Sequence, residues 1–390
     1  MKTTDTTLCD RPEYGRDHQT WIDLLRVIAC ALVVLAHCCD SFVGAFDTDR
    51  TAFLSGAAIG SLARPSVPLF VMMTAVLLLP LPDRTTLRAF YRKRIGRIMP
   101  PLIFWSIALP IFFFAYYRFV NPATSNPTID VGSYTASTLV DKIWLAVFNF
   151  NFDTVPLWYL YMLVGLYMIM PVLSSWLTQA DKKDLKIFLY IWAFTLFIPY
   201  IKLLAPHVGY SGNFGSMEIF GACDWNAYGT FYYMTGFIGY MVLVCYLRRY
   251  PIEWSTAKTT AICVPMFIVG YAITFGGFVK IQDYFPGDYS YLEVLWYFTG
   301  INVFLMTFPV FVLCSRIRLR PCKWLGTLAR LTFGIYLCHF IFVYISFDIF
   351  NHLAIHPVFK ILSMAVCCFC AAALLSWTMT IGSFTKKFIV

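Results

Sequence analysis

Residues 21–43 read WIDLLRVIACALVVLAHCCDSFV. This is an apolar run of about the length an α-helix needs to cross a bilayer core. It carries two side chains that hydrocarbon penalises, Arg26 and His37. Their spacing is close to three whole helical turns, so both fall on one face, roughly 16 Å apart along the axis. A stripe that is cationic at one end and imidazole further along has to face protein or water rather than lipid. The stretch therefore predicts a first transmembrane helix with a functional polar face.

Composition extends this reading to the whole chain. Its 390 residues are 59% hydrophobic, 18% aromatic and 13% charged, with a mean hydropathy of +0.68. Soluble domains carry roughly 25% charged residues. The sequence is that of an all-α, polytopic integral membrane protein, and its net charge of +9 points to topology rather than to nucleic acid. Apolar spans are predicted at 21–43, 66–82, 99–120, 157–178, 187–205, 228–247, 259–279, 293–314, 330–347 and 358–381. That makes about ten transmembrane helices. Segment 53–64 either begins the second helix or lies on the outer surface, and its Gly56-x-x-x-Gly60 is too common a pattern to weigh. Segment 138–150 reads as a short interfacial helix.

The cations orient the bundle. With the N-terminus in the cytosol, inner segments and Arg26 hold 23 of the 30 Lys and Arg residues. Arg50, Arg64, Arg118, Lys142, Lys202, Lys280 and Lys360 remain outside, and this bias places both termini in the cytosol. The first apolar run is too long for a signal-peptide core and lacks a small-residue cleavage site, so it is expected to be retained. Residues 1–20 form a cytosolic tail and 21–385 one transmembrane domain. The longest outer connections, 121–156 and 206–227, read either as a lid over a carbohydrate or lipid headgroup or as ordinary solvated loops. Most of the 13 cysteines lie in apolar runs and read as small packing residues, with neither a disulfide framework nor a zinc-ligand spacing.

Several polar groups are candidates for chemistry. His37 is either a candidate general base or a helix-packing hydrogen-bonder, and Asp40, three residues on, either orients it or sits in the outer interface. The stretch FYRKRIGRIMPP, 90–101, puts Arg92, Lys93, Arg94 and Arg97 at the inner entry of the third helix. Such a cluster suits a phosphate-bearing cytosolic ligand or simply sets topology. Arg26 either pairs with Asp23 or binds ligand. His339, in FGIYLCHFIF, is either substrate-binding or a buried structural partner of Tyr336 or a carbonyl. Arg64, ahead of PSVPLF, either stabilises an oxyanion, holds an anionic acceptor or anchors at the outer headgroups. The aromatic run around Trp158, Tyr159 and Tyr161 matches an interfacial belt equally well. Serine-hydrolase, P-loop and dinucleotide fingerprints are absent as strand-turn-helix units.

Taken together, these pieces resemble the acyltransferase-3 family of integral membrane acyltransferases. The resemblance rests on Arg26-x10-His37, on Arg94-x-x-Arg97, on PLWYLYMLVGLYMIMPVL at 156–173 and on LTFGIYLCHF at 331–340, in that order along the chain. Within the family, RPSVPLF (64–70) and TFYYMTGFIGY (230–240) look most similar to the enterobacterial common antigen O-acetyltransferase type. The resemblance implies transfer of an acyl group, most often acetyl, from cytosolic acyl-CoA to a hydroxyl of an envelope glycan or lipid-linked saccharide, in the bacterial inner membrane. His37 matches the family's essential histidine, while Arg26, Arg94 and Arg97 match arginines that handle the donor, with Arg92 beside them. Asp40 as orienter is not part of that pattern. For the oxyanion or acceptor, Arg64, Trp158, Tyr232, His339 or a backbone amide are candidates. No bound cofactor, metal or nucleic-acid partner is expected; acetyl-CoA is a substrate. The competing class is a glycan exporter or flippase, although the paired repeats of a transporter are not visible.

Overall fold

The computed structural model describes residues 17–82, 84–148, 150–209, 219–223, 226–287 and 292–389. The predicted tail at 1–20 lies almost wholly outside these residues, as does the middle of the 206–227 connection. Among the described residues the fold is helical throughout, with no strand.

The helices are α1 (Asp17–Val43), α2 (Arg50–Leu62), α3 (Ser66–Leu78), α4 (Leu87–Ala115), α5 (Ala136–Trp144), α6 (Trp158–Gln179), α7 (Lys182–Thr195) and α8 (Ile198–Leu204). They continue as α9 (Ile238–Arg249), α10 (Thr256–Tyr284), α11 (Leu292–Leu295), α12 (Ile301–Ser315), α13 (Lys323–Phe350) and α14 (Pro357–Ile381). Among the described residues, eight segments are long and apolar enough to cross a membrane: 20–43, 50–78, 87–120, 152–179, 182–204, 256–284, 323–350 and 357–381. The chain is thus an all-α polytopic membrane protein. The predicted spans at 228–247 and 293–314 are shorter than the reading of about ten full helices implies. They are interrupted, with α9 covering 12 residues and α12 covering 15.

Each interruption has a local cause and a local remedy. Segment 53–64 does begin the second span, which breaks at Ala63–Pro65 and restarts as α3. Ahead of α9, Gly236 takes a φ of +78°, a region that a residue with a Cβ rarely adopts. Its carbonyl accepts the Trp192 indole N–H at 2.9 Å. Before α12, the Phe298 carbonyl accepts the Tyr240 hydroxyl at 3.1 Å and the Leu295 carbonyl accepts Asn302 Nδ2 at 2.6 Å. Backbone groups freed by a break at membrane depth need partners of this kind, because no lipid can supply them.

On the basic side, three arginines staple helix ends. Arg248 donates to the Val76 and Leu79 carbonyls, Arg249 to Leu177 and Ala180, and Arg316 to Ile252 and Trp254. These carbonyls include those that a helix C-terminus leaves orphaned. Asp49, Thr86, Asp181 and Ser255 cap the N-termini of α2, α4, α7 and α10. Hydrogen bonds from the Asp184 and Lys183 amides hold the Asp181 carboxyl below its ordinary range.

α1 lies at the centre, packed against α2, α3, α13 and α14. Its contact with α2 depends on the small-residue pattern that the sequence alone does not weigh. A Cβ on Gly56 would stand 2.9 Å from Phe42 Cβ and 3.0 Å from the Val43 nitrogen, and one on Gly60 would stand 3.4 Å from Cys39 Cβ. The two helices run antiparallel in close contact. Segment 138–150, expected as an interfacial helix, contains α5 over its first half, with Trp144 and Phe148 strongly exposed.

This crossing predicts that Gly56→Ala costs about 1–3 kcal/mol, since backbone and Cβ atoms there have nowhere to move. Gly165, with nothing within 4 Å of its Cβ position, supplies the control: Gly165→Ala should unfold with the wild type. Thermal unfolding in one detergent, followed by fluorescence-detected size exclusion, compares the two; equal midpoints would remove the crossing from the fold's critical contacts.

Candidate active site

α1 carries His37 into a cavity of about 900 Å³. Val33, Ala36, His37 and Asp40 line it from α1, Arg64, Ser66 and Val67 from the break between α2 and α3, and Tyr336, Phe340 and Tyr344 from α13. Those three α13 residues recur at i, i+4 and i+8, one stripe of a helix face. Trp296 and Phe298 come from the interruption before α12. Pro127, Thr128, Phe152, Val155 and Pro156 close the non-basic side.

His37 Nδ1 and Asp40 Oδ2 are 2.8 Å apart. An ionised carboxylate can only accept, so in a neutral His37 ring Nδ1 carries the proton and Nε2 the lone pair. Asp40 is in place to orient the ring and stabilise its charged form, a task the sequence spacing suggests. The ring is held against Phe340, edge to face at 5.4 Å, and against His339, at 5.3 Å between centroids. His339 itself does not line the cavity. It is fully buried behind His37, with Nδ1 2.6 Å from the Tyr336 carbonyl and no hydrogen-bond partner for Nε2 among the described residues.

Arg64 and Trp158 both reach the cavity. Arg64 donates from Nε to the Gly60 carbonyl at 3.0 Å, and its guanidinium lies over Trp296 with Cζ 4.0 Å from the ring centre. Trp158 stacks on Phe298 at 5.4 Å and 16°. The two therefore belong to one aromatic wall, apolar enough to face a sugar ring and polar at one edge. Tyr232 is not brought to it. That residue is half-exposed in the turn at Gly229–Met234, ring to ring with Tyr233, and does not line the cavity.

The arginines expected at the donor end all lie on the basic side. Arg26 pairs with Asp23 at 3.3 Å, each about three-tenths exposed. Arg97 lies within electrostatic reach of Arg26, and Arg330, which the sequence reading counts only for topology, within reach of Asp23. Arg92 and Arg97 are exposed, while Arg94 lines a depression of about 380 Å³ with Lys93 and Arg248. The stripe from Arg26 to His37 does not, however, form one open seam. Along α1 the cavity lining stops at Val33, roughly 10 Å from Arg26. Ala29 and Cys30 between them are fully buried, because α13 packs against that face and Cys30 Sγ reaches the Thr332 carbonyl.

The outer wall rests on a group that sequence reasoning does not single out. Asp153, 1% exposed, accepts from Lys142 Nζ at 2.6 Å and from the Tyr134 hydroxyl at 3.0 Å. Burial, with the Asp153 carboxylate adding to it, pushes the Tyr134 phenol upward. Asp348 of α13 accepts from Tyr116 and Thr124, so 116–126 is tied to the same helix that lines the cavity. The only sequence signal is an acid and a base of complementary charge within one outer loop. Among the described residues no cluster of His, Cys, Asp and Glu could hold a metal.

A family model described as an acyltransferase domain, of the Acyl_transf_3 type, matches residues 19–381. No curated protein and no solved structure matches the chain.

Removing one partner of the Lys142–Asp153 pair leaves a buried carboxylate uncompensated. Lys142→Met should therefore destabilise the protein by roughly 3 kcal/mol, and Lys142→Met with Asp153→Leu should recover much of that loss. Thermal unfolding of the single and double variants measures both; a single variant as stable as wild type would mean that the pair does not hold the wall.

Proposed function

The chain belongs to the acyltransferase-3 family, and on that premise we propose that it moves an acetyl group from cytosolic acetyl-CoA to a hydroxyl of an envelope glycan or lipid-linked saccharide. Membrane acyl transfer is the family's general chemistry; the donor, the acceptor and the enterobacterial common antigen type of substrate are our reading. The observation that carries it is the His37–Asp40 pair, at 2.8 Å, facing a cavity large enough for a sugar.

In this reading the acceptor enters from the non-basic side and rests on Trp158 and Phe298. His37 Nε2 takes the proton from its hydroxyl as the oxygen attacks the thioester carbonyl, and Asp40 stabilises the imidazolium that forms. General-base help of this kind is worth about 10²–10⁴-fold in rate. The CoA phosphates pair with Arg94, Arg97, Arg92 and Arg26 on the basic side, which we take to be cytosolic. A thioester arriving from there meets buried Ala29, Cys30 and Tyr336 before it meets His37. A donor that follows α1 to His37 therefore needs α1 and α13 to part, or Tyr336 to swing, when it binds.

Two measurements test the assignment. In proteoliposomes, His37→Ala should lose acetyl transfer by at least about 10²-fold while retaining its folded elution profile; wild-type rates in that variant would refute the base. Arg94→Ala combined with Arg97→Ala should weaken CoA binding in calorimetry without loss of expression, and an unchanged affinity would return these arginines to topology. Mass spectrometry of envelope glycans with and without the gene then names the acyl group from the added mass and the acceptor from the modified sugar.

A further inference from the structure

The interruption between α2 and α3 leaves hydrogen-bond donors unused at one end of a helix. α3 starts at Ser66 with no side-chain cap. The Ser66 amide bonds to the Ala63 carbonyl at 3.2 Å and the Leu69 amide to Pro65 at 3.1 Å. Pro68 has no N–H, and the Val67 amide has no partner among the described residues. Ser66 is only 2% exposed, yet it lines the cavity, and its hydroxyl makes no hydrogen bond among the described residues. Arg64 commits Nε to Gly60 and its face to Trp296. Its two terminal nitrogens are in no hydrogen bond or ion pair among the described residues.

These donors line the same cavity as His37. Gly56 of α2 abuts Phe42 and Val43 of α1, and Gly60 abuts Cys39. α2 therefore advances along α1 from Phe42 past Cys39, and the break that follows Leu62, with Arg64 in it and Ser66 after it, lies toward the turn of α1 that carries Ala36 and His37. Their joint presence in the cavity lining agrees with that register.

We propose that Arg64, the Ser66 hydroxyl and the Val67 amide form the oxyanion cradle of the acyl transfer. The inference rests on the reading above. As the acceptor oxygen bonds to the thioester carbon, its proton passes to His37 Nε2 and the carbonyl electron pair moves onto oxygen. The resulting oxyanion sits on the three donors at the positive end of α3. Collapse restores the carbonyl, breaks the C–S bond and returns the proton from His37 to the departing thiolate. The oxyanion forms as His37 becomes cationic, so its charge is balanced within the cavity beside the Asp40 carboxylate.

The test uses the full chain in nanodiscs with two unreactive thioethers, S-carboxymethyl-CoA, whose carboxylate mimics the oxyanion, and S-ethyl-CoA. Wild type should bind the carboxymethyl compound more tightly. Ser66→Ala and Arg64→Lys should each shrink that preference by about tenfold, with S-ethyl-CoA affinity unchanged, and Ser66→Thr should restore it. Transfer of labelled acetyl from acetyl-CoA to the envelope glycan should fall about 10²-fold in kcat for Ser66→Ala with little change in KM. Wild type that binds both thioethers equally, or a preference untouched by the variants, overturns the cradle alone. Wild type that binds neither overturns the donor reading and takes the cradle with it.

Discussion

Hydrocarbon offers no hydrogen bonds, and that single fact orders the molecule. A backbone group freed by a break in a helix has to find its partner within the protein or face a hollow in it. The interruptions at 63–65, 235–237 and 296–300 are consequently surrounded by donors: Trp192 for the Gly236 carbonyl, Tyr240 for Phe298, Asn302 for Leu295. Two of these interruptions supply cavity wall, at Arg64–Val67 and at Trp296–Phe298. Irregular backbone is affordable at this depth where it is packed in protein or lines a polar hollow, and here the hollow is the one that holds His37.

Charge obeys the same constraint. Asp40 is used by His37, Asp23 by Arg26, Asp153 by Lys142 and Tyr134, and Arg64 is spread over the Trp296 ring. Several cations on the basic face are spent on carbonyls at helix ends, which separates Arg248, Arg249 and Arg316 from Arg92, Arg94 and Arg97 although both groups look alike as a basic run. The distinction matters for donor binding. A guanidinium already holding two carbonyls is a strut, while one without a protein partner is free to meet phosphate.

Much of this was legible residue by residue. The 3.6-residue period put Arg26 and His37 on one face, and the i, i+3 spacing placed Asp40 within reach of the imidazole. Arg64 and Trp158 were candidates that the fold did bring into the cavity. Tyr232 was a candidate that it left half-exposed on an outer turn, because proximity to an apolar span does not say which way a short 3₁₀ turn faces. In sequence, His339 reads equally as a substrate-binding group and as a buried structural partner. One helical step set it behind the cavity, since Tyr336, Phe340 and Tyr344 occupy the lining stripe of α13.

What the chain alone determines is everything governed by local period and by solvent: helical spans from hydropathy, orientation from the distribution of cations, and the His37–Asp40 pair from its three-residue spacing. What only the tertiary structure decided is everything that depends on which faces meet. The close α1–α2 crossing at Gly56 and Gly60, the packed barrier of Ala29 and Cys30 between Arg26 and His37, the Lys142–Asp153 anchor and the unused donors at Ser66 and Val67 all belong to that second class. Their physical reason is common: a contact between helices distant in the chain is set by shape and register across the interface, and neither leaves a period in the sequence of one helix.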